Sequence, residues 1–172
     1  MNGIEAGFSI GSNLGDRAEW LRKAREAIAA IPGVSLRECA PLYETEPVGC
    51  AEEFSEQLYL NSFLVVGTEL EVHRLFAETQ RIETELGRKR LFGRRNTPRT
   101  VDIDLIYYDG QTVRSGGLVV PHPRWSRRRF VLQPMCDVRP AAVLPGHDRS
   151  VREILAALPE GGQTVRLVAK IW

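Results

Sequence analysis

The segment that most constrains this chain is Arg99-Thr100-Val101-Asp102-Ile103-Asp104-Leu105-Ile106. Polar and apolar residues alternate there, the period of a strand with one wet face. Aspartate is a poor strand former, so two of them in one strand need a reason beyond backbone preference. In an extended chain Asp102 and Asp104 point the same way, ~6.6 Å apart at Cα, while Val101, Ile103 and Leu105 point the other way. That spacing suits two carboxylates clamping a pair of Mg²⁺ ions ~3.5–4 Å apart, as two-metal phosphoryl chemistry requires. An ordinary half-solvated strand is the rival reading. What favours metal is the preceding stretch, where Arg88, Lys89, Arg90, Arg94, Arg95 and Arg99 stand with no acid among them. Those side chains suit phosphates held by the metals.

The remainder of the chain is electrically quiet. Its net charge is +1, so residues 88–99 and a second cluster at Arg124, Arg127, Arg128 and Arg129 read as local anion sites on a neutral protein. A length of 172 residues, with 43% apolar and 26% charged residues, fits one domain over 1–172 with a real core. Cys39, Cys50 and Cys136 are an odd number at no metal-like spacing, which suits free thiols in a reducing compartment. No apolar run approaches ~20 residues and no basic-then-apolar leader opens the chain, so a cytoplasmic location with no membrane partner is expected.

Periodicity predicts a strand over 5–12, and a helix after Asp16 carrying Trp20, Leu21, Ala24, Ala27, Ile28 and Ile31 that Pro32-Gly33 stops. A strand over 34–43, a loop over 44–53 and a strand over 59–68 follow. Val72, Leu75, Phe76, Thr79, Ile82 and Leu86 mark a second helix closed by Gly87. After the basic loop come the aspartate strand 100–108, a turn at Asp109-Gly110, short helices over 126–133 and 150–158, and a closing strand over 165–171. The order strand, helix, strand, strand, helix, strand is an α+β, ferredoxin-like βαββαβ plan. It has a mostly antiparallel sheet, both main helices on one face, and C-terminal additions.

Several blocks, in order, carry a resemblance: Gly11-Ser12-Asn13-Leu14-Gly15-Asp16, Leu42-Tyr43-Glu44-Thr45-Glu46-Pro47-Val48-Gly49, Tyr59-Leu60-Asn61, Gln80-Arg81-Ile82-Glu83, Pro98 to Leu105, Pro121-His122-Pro123-Arg124 and Arg128 to Leu132. Together they resemble the 6-hydroxymethyl-7,8-dihydropterin pyrophosphokinase family over roughly residues 8–140. The resemblance implies transfer of the terminal pyrophosphate of ATP to the pterin hydroxymethyl group, with AMP released and two Mg²⁺ ions bridging the phosphates. It makes Asp102 and Asp104 the metal ligands, and Arg88, Arg90 and Arg99, with Arg95, phosphate contacts or closing residues. It puts Gln80, Glu83, Leu105, His122 and Arg128 at ATP, and Thr45, Val48, Tyr59, Asn61 and Phe130 at the pterin. Asn13 falls on a loop that helps close the site. It also implies that 44–53 and 88–99 act as lids. Independently of the resemblance, a pterin edge offers a row of donors and acceptors that the Asn61 amide could meet. Spacing alone would put Phe130 in the core. The partners so implied are small molecules, with no nucleic acid and no obligatory protein partner.

Two other classes share parts of this pattern. A nucleotidyltransferase would keep Asp102 and Asp104 but would not need Tyr59, Asn61 and Phe130. An RNA-binding module would show an aromatic-rich strand motif, which is missing here, and two acids in a strand would repel phosphate.

Overall fold

In the computed structural model, residues 3–48, 57–87 and 100–172 are described. The elements are β1 (Ile4–Ser12), α1 (Arg17–Ala29), β2 (Val34–Cys39), β3 (Leu42–Thr45), β4 (Tyr59–Thr68), α2 (Val72–Glu85), β5 (Asp102–Tyr108), β6 (Val113–Ser115), β7 (Leu118–Val120), α3 (Arg129–Val138), α4 (Val151–Ala157) and β8 (Val165–Ala169). The main sheet has the order β5-β1-β4-β3-β8, with β2 also paired to β4, and every pairing is antiparallel. This is the ferredoxin-like plan, extended at one edge by β8.

Alternation along the strands divides the interior in two. Ala6, Phe8 and Ile10 of β1, Leu64 and Val66 of β4, and Ile103 and Leu105 of β5 pack against Leu21, Ala24 and Ile28 of α1 and Leu75 and Ile82 of α2. Phe63 and Val65 of β4, with Ile106 and Tyr107 of β5, point the other way, toward Val131, Leu132 and Met135 of α3 and Val151 and Ile154 of α4. The start of α1 is capped as the sequence predicts, the Asp16 carboxylate accepting from the Glu19 N–H at 3.1 Å. Among the described residues no helix is long and apolar enough to cross a membrane.

Several boundaries differ from expectation, and one hairpin, β6–β7, was not foreseen. The strand read over 34–43 is two strands, because Pro41 has no N–H to continue the ladder. The helix read over 126–133 is a 3-10 turn at Trp125–Arg127 followed by α3, which passes through Pro134 because its apolar face is buried against the sheet. The hairpin β6–β7 turns on Gly116 and Gly117, with φ of 57° and 76°, the positive values that a tight hairpin turn needs. β5 begins at Asp102 rather than residue 100.

Polar clamps fix α3, which carries one wall of the site. Arg139, just beyond its C-terminal end, grips the Glu5 carboxylate of β1 through two bonds of 2.9 Å. The Tyr107 hydroxyl donates to the same carboxylate at 2.7 Å, and the Tyr43 hydroxyl donates to Asp137 of α3 at 2.6 Å. Arg139 chiefly holds the Glu5 carboxyl below its usual value against the opposing effect of burial. Its stabilisation is therefore present above the unfolded-state pKa and lost as pH falls through the lower folded value. Arg139→Met is expected to cost about 1–2 kcal/mol at pH 7, discounted for partial exposure. The deficit should shrink as pH drops below ~4. Urea melts at pH 7 and pH 3.5 check this; a deficit equal at both would mean lost packing rather than a lost ion pair.

Candidate active site

The register of β1 assembles the site. Gly11 stands opposite Asn61 of β4 on one side and Asp102 of β5 on the other, while Ser9 stands opposite Phe63 and Asp104. Asp102 and Asn61 are thus on one face of the sheet, separated by one strand, at a spacing of roughly 10 Å. Asn61 is buried, and its amide nitrogen donates to the Thr45 hydroxyl at 2.7 Å. A Cβ on Gly11 would lie 2.7 Å from the Asn61 carboxamide oxygen, so the glycine keeps room for that amide. The amide's carbonyl and second N–H are the groups a flat heterocycle with a row of donors and acceptors would meet.

A cavity of about 500 Å³ opens over this row. One half is lined by Thr45, Val48, Tyr59, Asn61 and Phe130, the other by Asp102, Asp104, His122, Arg124, Arg127 and Arg128. Arg128 bridges the halves, with a guanidinium nitrogen 3.8 Å from the Asp104 carboxylate and its charge 5.4 Å from the centre of the Phe130 ring. The His122 Nδ1 accepts from the Arg124 N–H at 3.1 Å, which leaves the ring proton of the neutral form on Nε2. Burial first, then the charges of Arg128 and Arg124, push the His122 pKa down to about 4, with Asp102 opposing. The imidazole is therefore a neutral hydrogen-bond donor at pH 7.

Among the described residues no group of three or more His, Cys, Asp or Glu side chains is arranged to hold an ion. Mg²⁺ does not require one, since it keeps several waters and is commonly bound by one or two carboxylates plus substrate phosphates. Asp102 and Asp104, both lining the cavity, are two carboxylates that would fit such an ion.

The chain matches the family described as 7,8-dihydro-6-hydroxymethylpterin-pyrophosphokinase over residues 7–140. The chain belongs to that family. It is 38% identical over 155 residues to a 2-amino-4-hydroxy-6-hydroxymethyldihydropteridine pyrophosphokinase of Methylorubrum extorquens, covering 90% of this chain and 94% of that protein. A Bacillus subtilis protein of the same name is 37% identical over 138 residues, covering 80% of this chain and 79% of its own. In shape the chain is similar to a Plasmodium falciparum HPPK-DHPS crystallised with pteroate, at a TM-score of 0.68, with 12% identity and 89% of this chain covered. It spans 42% of that longer chain, and the likeness bears on the fold.

Against the expectations for a pyrophosphokinase of this family, the structure brings Asp102, Asp104, His122, Arg128, Thr45, Val48, Tyr59, Asn61 and Phe130 into one cavity. It does not bring three others there. The Leu105 side chain is buried in the core against α1 and α2, so any contact with nucleotide falls to its backbone. Gln80 lies on α2, away from the cavity lining. Glu83 is buried, and its carboxylate accepts the Ile103 N–H at 2.7 Å, anchoring β5 between the two aspartates. Arg88, Arg90, Arg95 and Arg99 lie outside the described residues, as do the whole loop 88–99 and residues 49–53 of the loop 44–53. Sequence reasoning read Arg124 and Arg127 only as part of a local anion site and assigned no site role to Ser9, Gly11, Glu46 or Gln163; all six line the cavity. The basic cluster marks Arg124 and Arg127, and the blocks that carry the resemblance hold Gly11 and Glu46; nothing in the sequence marks Ser9 or Gln163.

Two outcomes are expected. Gly11→Ala should displace the Asn61 amide and weaken pterin binding about tenfold while changing ATP-analogue affinity less than threefold, as read by calorimetry. Equal loss for both ligands would mean that the strand, not the amide, had moved. For His122 the unfolded chain takes up a proton near pH 6.5 and the folded one near pH 4, so its contribution to stability is full above ~6.5 and lost as pH falls toward 4. His122→Asn should flatten that part of the stability–pH curve. An imidazole NMR midpoint near 6.5 in the folded wild type would contradict the neutral-donor assignment.

Proposed function

We propose that this cavity seats ATP with its polyphosphate beside Asp102 and Asp104, and the pterin between Asn61 and Phe130. The chain transfers pyrophosphate from ATP to the hydroxymethyl group of 6-hydroxymethyl-7,8-dihydropterin, releasing AMP, in folate biosynthesis. The observation that carries the placement is the row across β5, β1 and β4, with a carboxylate at one end and a buried amide at the other, under a single cavity.

The step asks for positioning and charge neutralisation. The attacking hydroxyl must approach the β-phosphorus in line with the departing oxygen of AMP, and negative charge grows on that oxygen. Asn61 and Thr45 hold the ring edge and Phe130 offers it a flat face, so the hydroxymethyl group projects toward the aspartates. Arg124, Arg127 and Arg128 face the phosphates, and the His122 Nε2–H donates without adding charge. When bound between the carboxylates and the polyphosphate, Mg²⁺ would neutralise the phosphate oxygens and polarise them. Phe63 and Tyr107, two of the aromatics on this sheet face, are buried beneath α3, while Tyr59 on the same face lines the cavity.

Incubation with ATP, Mg²⁺ and hydroxymethyldihydropterin should release AMP; release of pyrophosphate instead would favour nucleotidyl transfer. Asp102→Asn and Asp104→Asn are each expected to lower turnover about 10³-fold or more, with unfolding midpoints close to wild type because both carboxylates are partly solvated. Retention of turnover within tenfold in either variant would remove that residue from the metal site.

A further inference from the structure

Gln163 lies beyond residue 140, where the family match ends, in the short segment between α4 and β8. Its side chain lines the main cavity and an adjoining one of about 230 Å³, together with Val48 and Arg128. The carboxamide is used at both ends. Its oxygen accepts the backbone N–H of Phe130 at 3.2 Å, and its nitrogen donates to the backbone carbonyl of Glu46. The next residue adds a third tie, the Thr164 N–H donating to the Glu46 carboxylate at 3.2 Å. Among the described residues, the hydrogen bonds that hold 46–48 come from Gln163 and Thr164. Val48 itself is 57% exposed and makes no core contact to fix it.

We propose that Gln163 is a positioning residue for the pterin, acting from the C-terminal segment. This rests on the pterin reading of the Thr45–Asn61–Phe130 half of the cavity. The two walls of that half come from separate parts of the chain: the end of β3 running into 46–48, and the first turn of α3 carrying Phe130. A single planar amide spans them and sets their separation. The separation matters because a flat ring must fit between Phe130 and the strip at Val48 while its edge reaches Asn61. β8 delivers Gln163 to this place by pairing with β3, with Val165 opposite Thr45. Arg166 bonds Glu44 at 2.5 Å and holds the same strand end from the other side. The backbone of β8 would therefore stay in place when the Gln163 side chain is changed.

Two variants separate positioning from mere folding. Gln163→Met keeps the volume and removes both hydrogen bonds. Its KM for the pterin should rise about tenfold, with kcat and the KM for ATP within about twofold of wild type. Gln163→Glu keeps the acceptor for Phe130 but, when ionised, loses the donor to Glu46 and sets a charge against that carbonyl and carboxylate. Its pterin affinity should fall below wild type between pH 7 and pH 8, where a carboxyl of ordinary pKa ~4.3, with Arg127, Arg128 and Arg129 lining the same cavity, stays ionised and cannot donate. Calorimetric titration with the pterin, in the presence of a non-hydrolysable ATP analogue and Mg²⁺, gives the affinities across that range. Wild-type pterin affinity in Gln163→Met would overturn the proposal. So would a parallel loss of ATP and pterin binding with a lowered melting temperature, since that pattern marks a structural role. Failure of the wild type itself to bind the pterin would sink the functional reading on which the proposal stands, and is visible before any variant is made.

Discussion

The site exists because β1 is paired on both sides in one register. Gly11 meets Asn61 across one ladder and Asp102 across the other. A slip by one residue in either neighbour would send that side chain to the opposite face of the sheet. The opposite face enforces the register, because Ile103 and Leu105 of β5 and Leu64 and Val66 of β4 are buried there against α1 and α2. Exposing such side chains costs ~1.5–3 kcal/mol each, and a slip would expose several at once. The polar row is thus held by the apolar one beneath it. Asn61, buried in that row, has one amide proton taken by Thr45, and Gly11 is tolerated in a central strand because any Cβ there would occupy the amide's space.

One irregularity lets β5 serve two purposes. Its register with β1 shifts between Gly7 and Phe8, so that Ile106 and Tyr107 both face α3 before Tyr108 returns to the other core. The first half of the strand can then present Asp102 and Asp104 to the cavity while the second half supports α3. A Cβ on Gly7 would fall 2.2 Å from the Tyr107 ring, so the glycine in β1 makes room for the bulged partner. The Tyr107 hydroxyl in turn reaches Glu5, the carboxylate that Arg139 grips, and so the bulge and the clamp on α3 are one structure. Phe130 and Arg128 owe their place over the sheet to it.

Periodicity made the two main helices, the central strand, the long strand and the Asp102–Asp104 face legible in the sequence, because each depends on local alternation or helical spacing. The AMP-or-pyrophosphate question was legible only through the resemblance. What escaped depends on contacts distant in sequence. The resemblance puts Glu83 at ATP, yet its carboxylate accepts a backbone N–H from Ile103 of β5. Leu105 was legible in its facing, since alternation turns its side chain away from Asp104, although the resemblance puts the residue at ATP. The split at Pro41 follows from a missing donor within an otherwise strand-like run, and the helix through Pro134 from burial overriding propensity. Gln163 carries no pattern at all: a lone amide after two glycines becomes informative only when β8 is known to pair with β3.

The electrostatics of the cavity explain why carboxylates and arginines share it. Asp102, Asp104 and Glu46 would repel a polyphosphate, while Arg124, Arg127 and Arg128 would attract it. With both signs present and Arg128 leaning toward Asp104, a bare anion gains little on entry. Under the proposed function, an anion arriving with divalent cations would change the balance, since the carboxylates would then face positive charge and the arginines would be released to the phosphate oxygens. His122 fits the same logic. A protonated imidazole between Arg124 and Arg128 would add a third cation at a spot where two already repel it, and would compete with metal for Asp102. Burial and those two arginines keep the ring neutral, and the bond from the Arg124 N–H to Nδ1 orients its one N–H as a donor. The cavity thereby gains a directed hydrogen-bond donor whose charge does not vary with pH near neutrality, and under the proposed function the discrimination for a metal-loaded nucleotide would rest on the two aspartates.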